Sequence, residues 1–260
     1  VKLLVPVRPV PDPATPVRLM PDRDGVMAVD RVGAKLIANP FDDVALEEAL
    51  LQRERGCVRE VVTVAVAPWD EGNPLLRMTL AMGADRAVLV TPPPVVEPWT
   101  VATLLHALCL RESIGMVIMG KQSVDEDGGR VGPMLAMLAG WGLGVAAVAL
   151  ELPAGDGCGA LVVTQEVAGG TEQVRLSLPA VVTVEVRLNT PRYPSLTGIM
   201  QARRRTVEQL EWSELIHPAG LSAPTLQRLE STEPPPRSRG RTIATAGELV
   251  HLLRQGGGMA

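Results

Sequence analysis

The chain has 260 residues and is 46% hydrophobic, yet it holds one Phe, one Tyr and four Trp, so Val, Leu and Ala must fill its core. That aliphatic bias suits parallel strands buried on both faces. It argues against the aromatic platforms on which single-stranded nucleic acids stack, and a net charge of −4 adds no pull toward nucleic acid or an anionic membrane.

Cys57, Cys109 and Cys158 are widely spaced, odd in number and form no CxxC pair. They fit free thiols in a reducing compartment rather than a zinc site or a disulfide framework. No run reaches the roughly 18 apolar residues of a membrane span. The chain opens directly on the strand-like KLLVPV, with no secretory or transit segment visible, so a soluble cytoplasmic protein without membrane insertion is expected.

In chain order, Lys2–Val7 reads as a buried strand, followed by a Pro- and Asp-rich loop and a helix starting near Asn39. Val61–Ala67 is a second strand and Pro74–Met82 a helix; Arg86–Thr91 is a third strand and Pro98–Glu112 a helix. Met116–Gly120 is a fourth strand, running through a polar Gly-rich loop into a helix at Gly132–Ala139. Alternating β and α with short connections implies right-handed crossovers and a parallel sheet covered on both faces. From Gly144 the helices stop. Val145–Leu152, Ala160–Glu166, Glu172–Leu176 and Ala180–Val186 read as strands, expected to extend the sheet as antiparallel strands and a hairpin. Past Arg205 the chain turns polar, with a linker at Pro234–Pro236 and a closing helix at Ala246–Arg254, capped by Thr245 or Thr242. The division expected is a nucleotide-binding α/β domain over 1–205 and a C-terminal arm over 206–260. One short helix beyond a linker cannot make its own core and must dock on the body or on another chain.

Two loops fall at the carboxyl ends of the parallel strands, where open α/β sheets bind ligands. In the first, Asn39 is a good helix N-cap, Pro40 fits the first turn and Asp42 stands where a capping-box partner would. Phe41, Ala45 and Ala49 share one face, which leaves Glu47 and Glu48 pointing outward. By spacing alone this is a capped helix. The second is GKQSVDEDGGRVGPM, Gly120–Met134, whose Gly128, Gly129 and Gly132 let the backbone approach a ligand. Amides at the following helix N-terminus would face a phosphate, with Lys121 and Arg130 adding charge. Neither a Walker A loop nor GxGxxG after the first strand is present. Asp125, Glu126 and Asp127 could be a Mg²⁺ cluster, but read better as a solvated loop that orients amides. His106, His217 and His251 have no Ser, Cys or Asp partner at motif spacing.

Arg187–Arg205, RLNTPRYPSLTGIMQARRR, is the most specific stretch. Its prolines exclude an ordinary helix over Thr190–Pro194. Tyr193, Leu196, Ile199 and Met200 then offer apolar tips beside the cations Arg203–Arg205, the make-up of a docking surface. This stretch closely resembles the electron-transfer flavoprotein beta-subunit family. So do the helix start Asn39-Pro40-Phe41, the GKQxxDxD loop, MTLAMGADRAVLV at 78–90 and LSLPAVVTVEVRLN. The resemblance covers about residues 2–210, with a weaker echo at Glu233–Arg254.

The resemblance implies a Rossmann-like α/β fold of the adenine nucleotide alpha hydrolase-like type, with a mostly parallel sheet, an antiparallel extension and a C-terminal arm. It implies a subunit that pairs with an electron-transfer flavoprotein alpha subunit, shares its FAD and holds AMP structurally. It further implies electron transfer from flavin dehydrogenases of the acyl-CoA dehydrogenase type to a quinone oxidoreductase, with no bond-making catalysis and no metal. Carried over residue by residue, the nucleotide contacts are Pro6, Asn39, Pro40, Phe41, Asp42, Val66, Gly120, Lys121, Gln122, Asp125, Asp127, Gly128, Gly129, Arg130, Val131 and Gly132. The docking set is Tyr193, Leu196, Ile199 and Met200. In a eukaryote the compartment implied is the mitochondrial matrix.

Three departures bear on this. Val131 replaces the Thr whose hydroxyl helps hold the phosphate in many AMP-binding relatives. Val131-Gly132-Pro133 is similar to the electron-bifurcating branch, where a second FAD takes this site, although that branch's insertion between the third strand and the next helix (TPPPVVEPWTVATLL) is missing and the tail resembles the AMP branch. Pro13 stands where a Tyr lies near the flavin in housekeeping relatives. A hydrolase or ligase on the same layout would need an activating motif, and a nucleotide-sensing domain would leave Arg187–Arg205 unexplained.

Overall fold

The structure, a computed structural model, describes residues 1–16, 18–21, 25–30, 33–152, 160–217, 220, 229–233, 235, 240 and 242–255. Cys158 and much of the expected linker at Pro234–Pro236 lie outside them.

The elements in chain order are β1 (Lys2–Pro6), β2 (Pro9–Pro11), β3 (Leu19–Pro21), β4 (Met27–Val29), β5 (Leu36–Ala38), α1 (Pro40–Glu54), β6 (Glu60–Val66) and α2 (Trp69–Met82). Then come β7 (Arg86–Thr91), α3 (Pro98–Glu112), β8 (Met116–Gly120), α4 (Val131–Ala139), β9 (Gly142–Glu151), β10 (Leu161–Val167), β11 (Gly170–Leu176) and β12 (Ala180–Val184). The series closes with α5 (Leu196–Ala202), β13 (Glu208–Glu211), α6 (Trp212–Leu215) and α7 (Ala246–Gln255).

Nine strands form one sheet in the order β11-β10-β9-β12-β8-β1-β6-β7-β13. β1 pairs in parallel with β6 and with β8, β7 with β6 and β13, and β12 with β8 and β9. The Rossmann-like α/β expectation is therefore met. The antiparallel extension is narrower than the sequence predicts: β10 opposes β9 and β11, whereas β9 and β12 run with the parallel set. The two runs look alike in sequence; α4, which carries the chain from β8 back to β9, sets the direction. The sheet also gains an unforeseen edge strand, β13, past Arg205.

Alternate residues of each strand feed two cores. Leu3, Val5, Val61 and Ala65 face α1 and α2, while Leu4, Val62, Val64 and Val117 face α3 and α4. Each fully buried Leu or Val contributes about 1.5–3 kcal/mol, which explains why the strands read as unbroken apolar runs. α2 begins at Trp69, five residues before the expected Pro74. Gly72 and Pro74 look like helix breakers, but a Cβ on Gly72 would collide with the Leu89 side chain of β7, and the ring of Pro74 lies exposed. That glycine is the condition for close helix–strand approach.

A second correction concerns α1. Glu47 and Glu48, expected outside, are buried at 5% and 4% exposure. Their partners are Arg192 and Asn189, some 140 residues later in the chain.

The chain divides into two compact units, residues 1–18 with 29–228, and residues 19–28 with 229–260. The second contains α7, where the Thr245 hydroxyl accepts from the Glu248 amide at 3.2 Å and Leu249, Val250 and Leu253 are exposed. Among the described residues no helix is long and apolar enough to cross a membrane.

Candidate functional site

β1 lies between β8 and β6, so the connections leaving the carboxyl ends of these strands diverge there. In open α/β sheets such a switch point forms a crevice. Here it is a cleft of about 740 Å³. Its walls are Pro6–Pro9 at the end of β1, Asn39 and Asp42 at the start of α1, Val64 and Val66–Pro68 at the end of β6, Thr91–Pro94 and Val96–Pro98 at the end of β7, and Met119–Ser123 with Glu126 and Gly128–Gly132 between β8 and α4.

The loops are held by side chains that reach across the sheet end. Asn39 and Asp42 do not cap α1 in the expected way, and Asn39 makes no side-chain cap bond. Its Nδ2 donates to the Gln122 carbonyl at 2.9 Å, and its Oδ1 accepts from the Val124 amide at 3.3 Å. Asp42 accepts from the Arg8 amide at 2.9 Å and the Gly120 amide at 3.2 Å. Burial pushes its carboxyl up to about 7 against those two donors. Gly120 permits this crossing: a Cβ there would collide with the Asp42 carboxylate and lie 2.7 Å from Phe41 Cβ. The helix-start motif is thus a brace between β1 and β8.

Arg8, which sequence reasoning missed, closes the brace. Its guanidinium pairs with Asp125 at 3.0 Å and Glu126 at 2.7 Å. The signal available was its position, one residue past the first strand. Asp127, at φ +50°, accepts from Gln122 Nε2 at 2.8 Å. The acidic run therefore organises the loop through Arg8 and Gln122. Lys121 forms an ion pair with Glu185, and its ammonium lies 5.7 Å from the centre of the Phe41 ring. Its charge is partly spoken for, while Arg130, at the N-cap of α4, is exposed.

The glycines differ in what they do. Gly129 sits at φ +56°, and a Cβ there would be 3.2 Å from the Lys121 carbonyl, so a side chain at this position would strain the turn over the cleft. Gly132 instead lets α4 approach β12, since its Cβ would be 2.5 Å from the Thr183 methyl. Pro6, Asn39, Asp42, Val66, Gly120, Lys121, Gln122, Gly128, Gly129, Arg130, Val131 and Gly132 meet at the cleft wall. Phe41, Asp125 and Asp127 do not line it but contact its residues Lys121, Arg8 and Gln122 in turn, and Pro40 is exposed at the start of α1 outside it. The wall from Pro92 to Val101 carries no signal of a site in the sequence, because a proline run reads simply as a loop.

The Arg187–Arg205 stretch forms a separate surface. Only its first part is the expected irregular loop; Leu196–Ala202 is a short helix, α5. The Ser195 hydroxyl accepts from the Gly198 amide at 3.0 Å and caps it. A Cβ on Gly198 would collide with the Ala81 carbonyl, so α5 lies directly on the end of α2. Tyr193, Leu196 and Met200 project at 95%, 75% and 58% exposure, whereas Ile199 is half-buried and packs against the core. Of the three arginines, Arg205 is tied to the Ala84 and Asp85 carbonyls, while Arg203 and Arg204 are exposed.

A doubly wound α/β sheet with a glycine-lined cleft at its switch point defines a protein of the Rossmann-like class. The chain matches the electron transfer flavoprotein domain over residues 26–215. It is 39% identical over 259 residues to the electron transfer flavoprotein subunit beta of Bradyrhizobium diazoefficiens, covering 99% of each chain. It is 40% identical over 257 residues to the mitochondrial subunit beta of Oryza sativa subsp. japonica, covering 97% of each, and 37% identical over 259 residues to the human subunit beta, covering 98% of this chain and 97% of the relative. The chain belongs to the electron transfer flavoprotein beta-subunit family.

Proposed function

We propose that this chain is the beta subunit of a heterodimeric electron transfer flavoprotein that accepts electrons from flavin dehydrogenases of the acyl-CoA dehydrogenase type and delivers them to a quinone oxidoreductase. The observation that carries this reading is the coexistence, on one body, of a braced, glycine-lined cleft and a capped helix whose apolar residues face solvent. The FAD, shared with an alpha subunit, supplies the electron-transfer chemistry. This chain supplies framework and docking surface, without bond-making catalysis of its own.

AMP is the nucleotide proposed for the cleft. Gly129 at positive φ and the first amides of α4 suit a phosphate, Arg130 adds an exposed charge, and Val64, Val66 and the proline wall suit an adenine ring. With Val131 at the first helical position, main-chain amides take over what a Thr hydroxyl does in relatives. A second reading, a second FAD in place of AMP, is favoured by a cleft that runs on past Val66 to Pro98 and Val101. Of the expected arm over 206–260, β13 belongs to the sheet, and the part proposed to reach the alpha subunit is the helix α7, through Leu249, Val250 and Leu253. The compartment proposed is the bacterial or archaeal cytoplasm, or the mitochondrial matrix in a eukaryote.

Denaturing the purified heterodimer and quantifying released nucleotides by mass spectrometry tests this. Equal FAD and AMP supports the first reading, two FAD and no AMP the second. Absence of both from a correctly assembled complex overturns the proposal.

A further inference from the structure

The docking segment is fastened to α1 by charges that the cleft does not use. Glu47 and Glu48 lie in the middle of α1, almost fully buried, and Gln52 one turn later is completely buried. Carboxylates in such a place are costly unless donors surround them. Arg192 meets Glu47 three times: its backbone amide donates to Oε2 at 3.1 Å, its Nε to Oε2 at 2.8 Å and its Nη2 to Oε1 at 2.9 Å. The same guanidinium donates through Nη1 to Glu54 Oε1 at 2.6 Å. Glu48 accepts from Gln52 Nε2 at 2.6 Å and Asn189 Nδ2 at 3.2 Å, and Asn189 also donates to the Val44 carbonyl at 3.1 Å.

The next residue after Arg192 is the fully projecting Tyr193, and α5 begins three residues later. With seven residues α5 is too short to hold itself in water. Downstream it rests on α2; upstream its anchor is this clamp.

We infer that Arg192 is a positioning residue whose ion pairs with Glu47 and Glu54 set the direction in which Tyr193, Leu196 and Met200 leave the body, so that a dehydrogenase meets an already ordered surface. The inference rests on the docking reading above. A planar guanidinium is needed, because one ion pair is bidentate and the other uses the remaining nitrogen, a fork that an ammonium cannot reproduce. Prior ordering lowers the entropy lost on association, so its removal acts on encounter and affinity rather than on transfer within the docked complex.

The experiment uses the intact heterodimer carrying Arg192→Ala, Arg192→Lys, Glu54→Gln or Leu196→Ala. The rate of flavin reduction is followed against the concentration of reduced dehydrogenase, together with amide hydrogen exchange over residues 187–202. Arg192→Ala should raise the apparent KM about tenfold while leaving kcat within about twofold, the mark of lost preorganisation. Faster exchange should be confined to this segment, with flavin and nucleotide content unchanged. Arg192→Lys should recover part of the loss, and Glu54→Gln should show a smaller rise. If Arg192→Ala does not fold, the Lys and Gln variants carry the test.

A wild-type KM and exchange pattern in these variants would overturn the clamp. So would a fall in kcat with flavin loss and faster exchange throughout the chain. The Leu196→Ala variant separates the two readings. If it too leaves KM unchanged, the docking reading fails; if it raises KM while the Arg192 and Glu54 variants do not, the clamp alone fails.

Discussion

Replacing Leu196 by Ala isolates the contact proposed for partner docking. In the free chain this residue is 75% exposed, so most of its apolar surface is available to a partner and little supports the fold. The exchange removes about three carbons, each contributing about 0.8 kcal/mol when buried, and scaling by the exposed share leaves about 1.8 kcal/mol. At about 1.4 kcal/mol per tenfold, that is roughly a twentyfold loss in encounter efficiency. Ala is at least as good a helix former as Leu, and the Ser195 cap is untouched, so α5 persists. The assay is stopped-flow reduction of the heterodimer's flavin by an acyl-CoA-reduced dehydrogenase below saturation, with the visible spectrum and melting temperature as controls. A wild-type rate under those conditions would refute the anchor role and leave α5 as a connection.

The other expectations concern the cleft, the sheet and the assembly. Arg130→Ala should weaken AMP retention by only about 1 kcal/mol, because the main-chain amides remain; Gly129→Val, which forces a β-branched residue to φ +56°, should cost more, as read by nucleotide content after dialysis. Gly132→Val would instead report packing against Thr183, and its melting temperature should fall whether or not nucleotide is added. At the opposite end of the sheet, the Arg86 guanidinium, with burial opposing it and Lys2 assisting, holds the Glu112 carboxyl down at about 2 against an ordinary 4.5. A depressed folded pKa means that this stabilisation is complete above pH 4.5 and disappears as pH falls toward 2; it should be about 1–3 kcal/mol, and urea unfolding of Glu112→Gln should show a lower stability at pH 7 and a flatter acid limb. Finally, the chain expressed alone should purify without FAD and acquire it on co-expression with an alpha subunit; a stoichiometrically yellow isolated chain would contradict the shared-flavin arrangement.

Much of the architecture is written locally. β7, α3 and β8 occupy the residues that periodicity and turn signals predict, because a strand buried on both faces must be an apolar run and a helix start must tolerate proline. The cleft's place follows from the same alternation, and Asn39, Asp42 and the Gly120–Gly132 loop stand out by residue type. What each side chain does there was not legible. Asn39 and Asp42 look like caps and instead brace two strands; Glu47 and Glu48 look like a solvated face and instead bury against Arg192 and Asn189. Arg8 has no motif around it, yet it pairs with both Asp125 and Glu126 of the acidic loop. In each case the deciding partner is distant in sequence, and Coulomb attraction and desolvation depend on separation in space alone. The direction of β9 and the edge strand β13 escaped for a related reason: strand orientation is chosen by which open edge the returning chain can reach, and only the assembled sheet defines that edge.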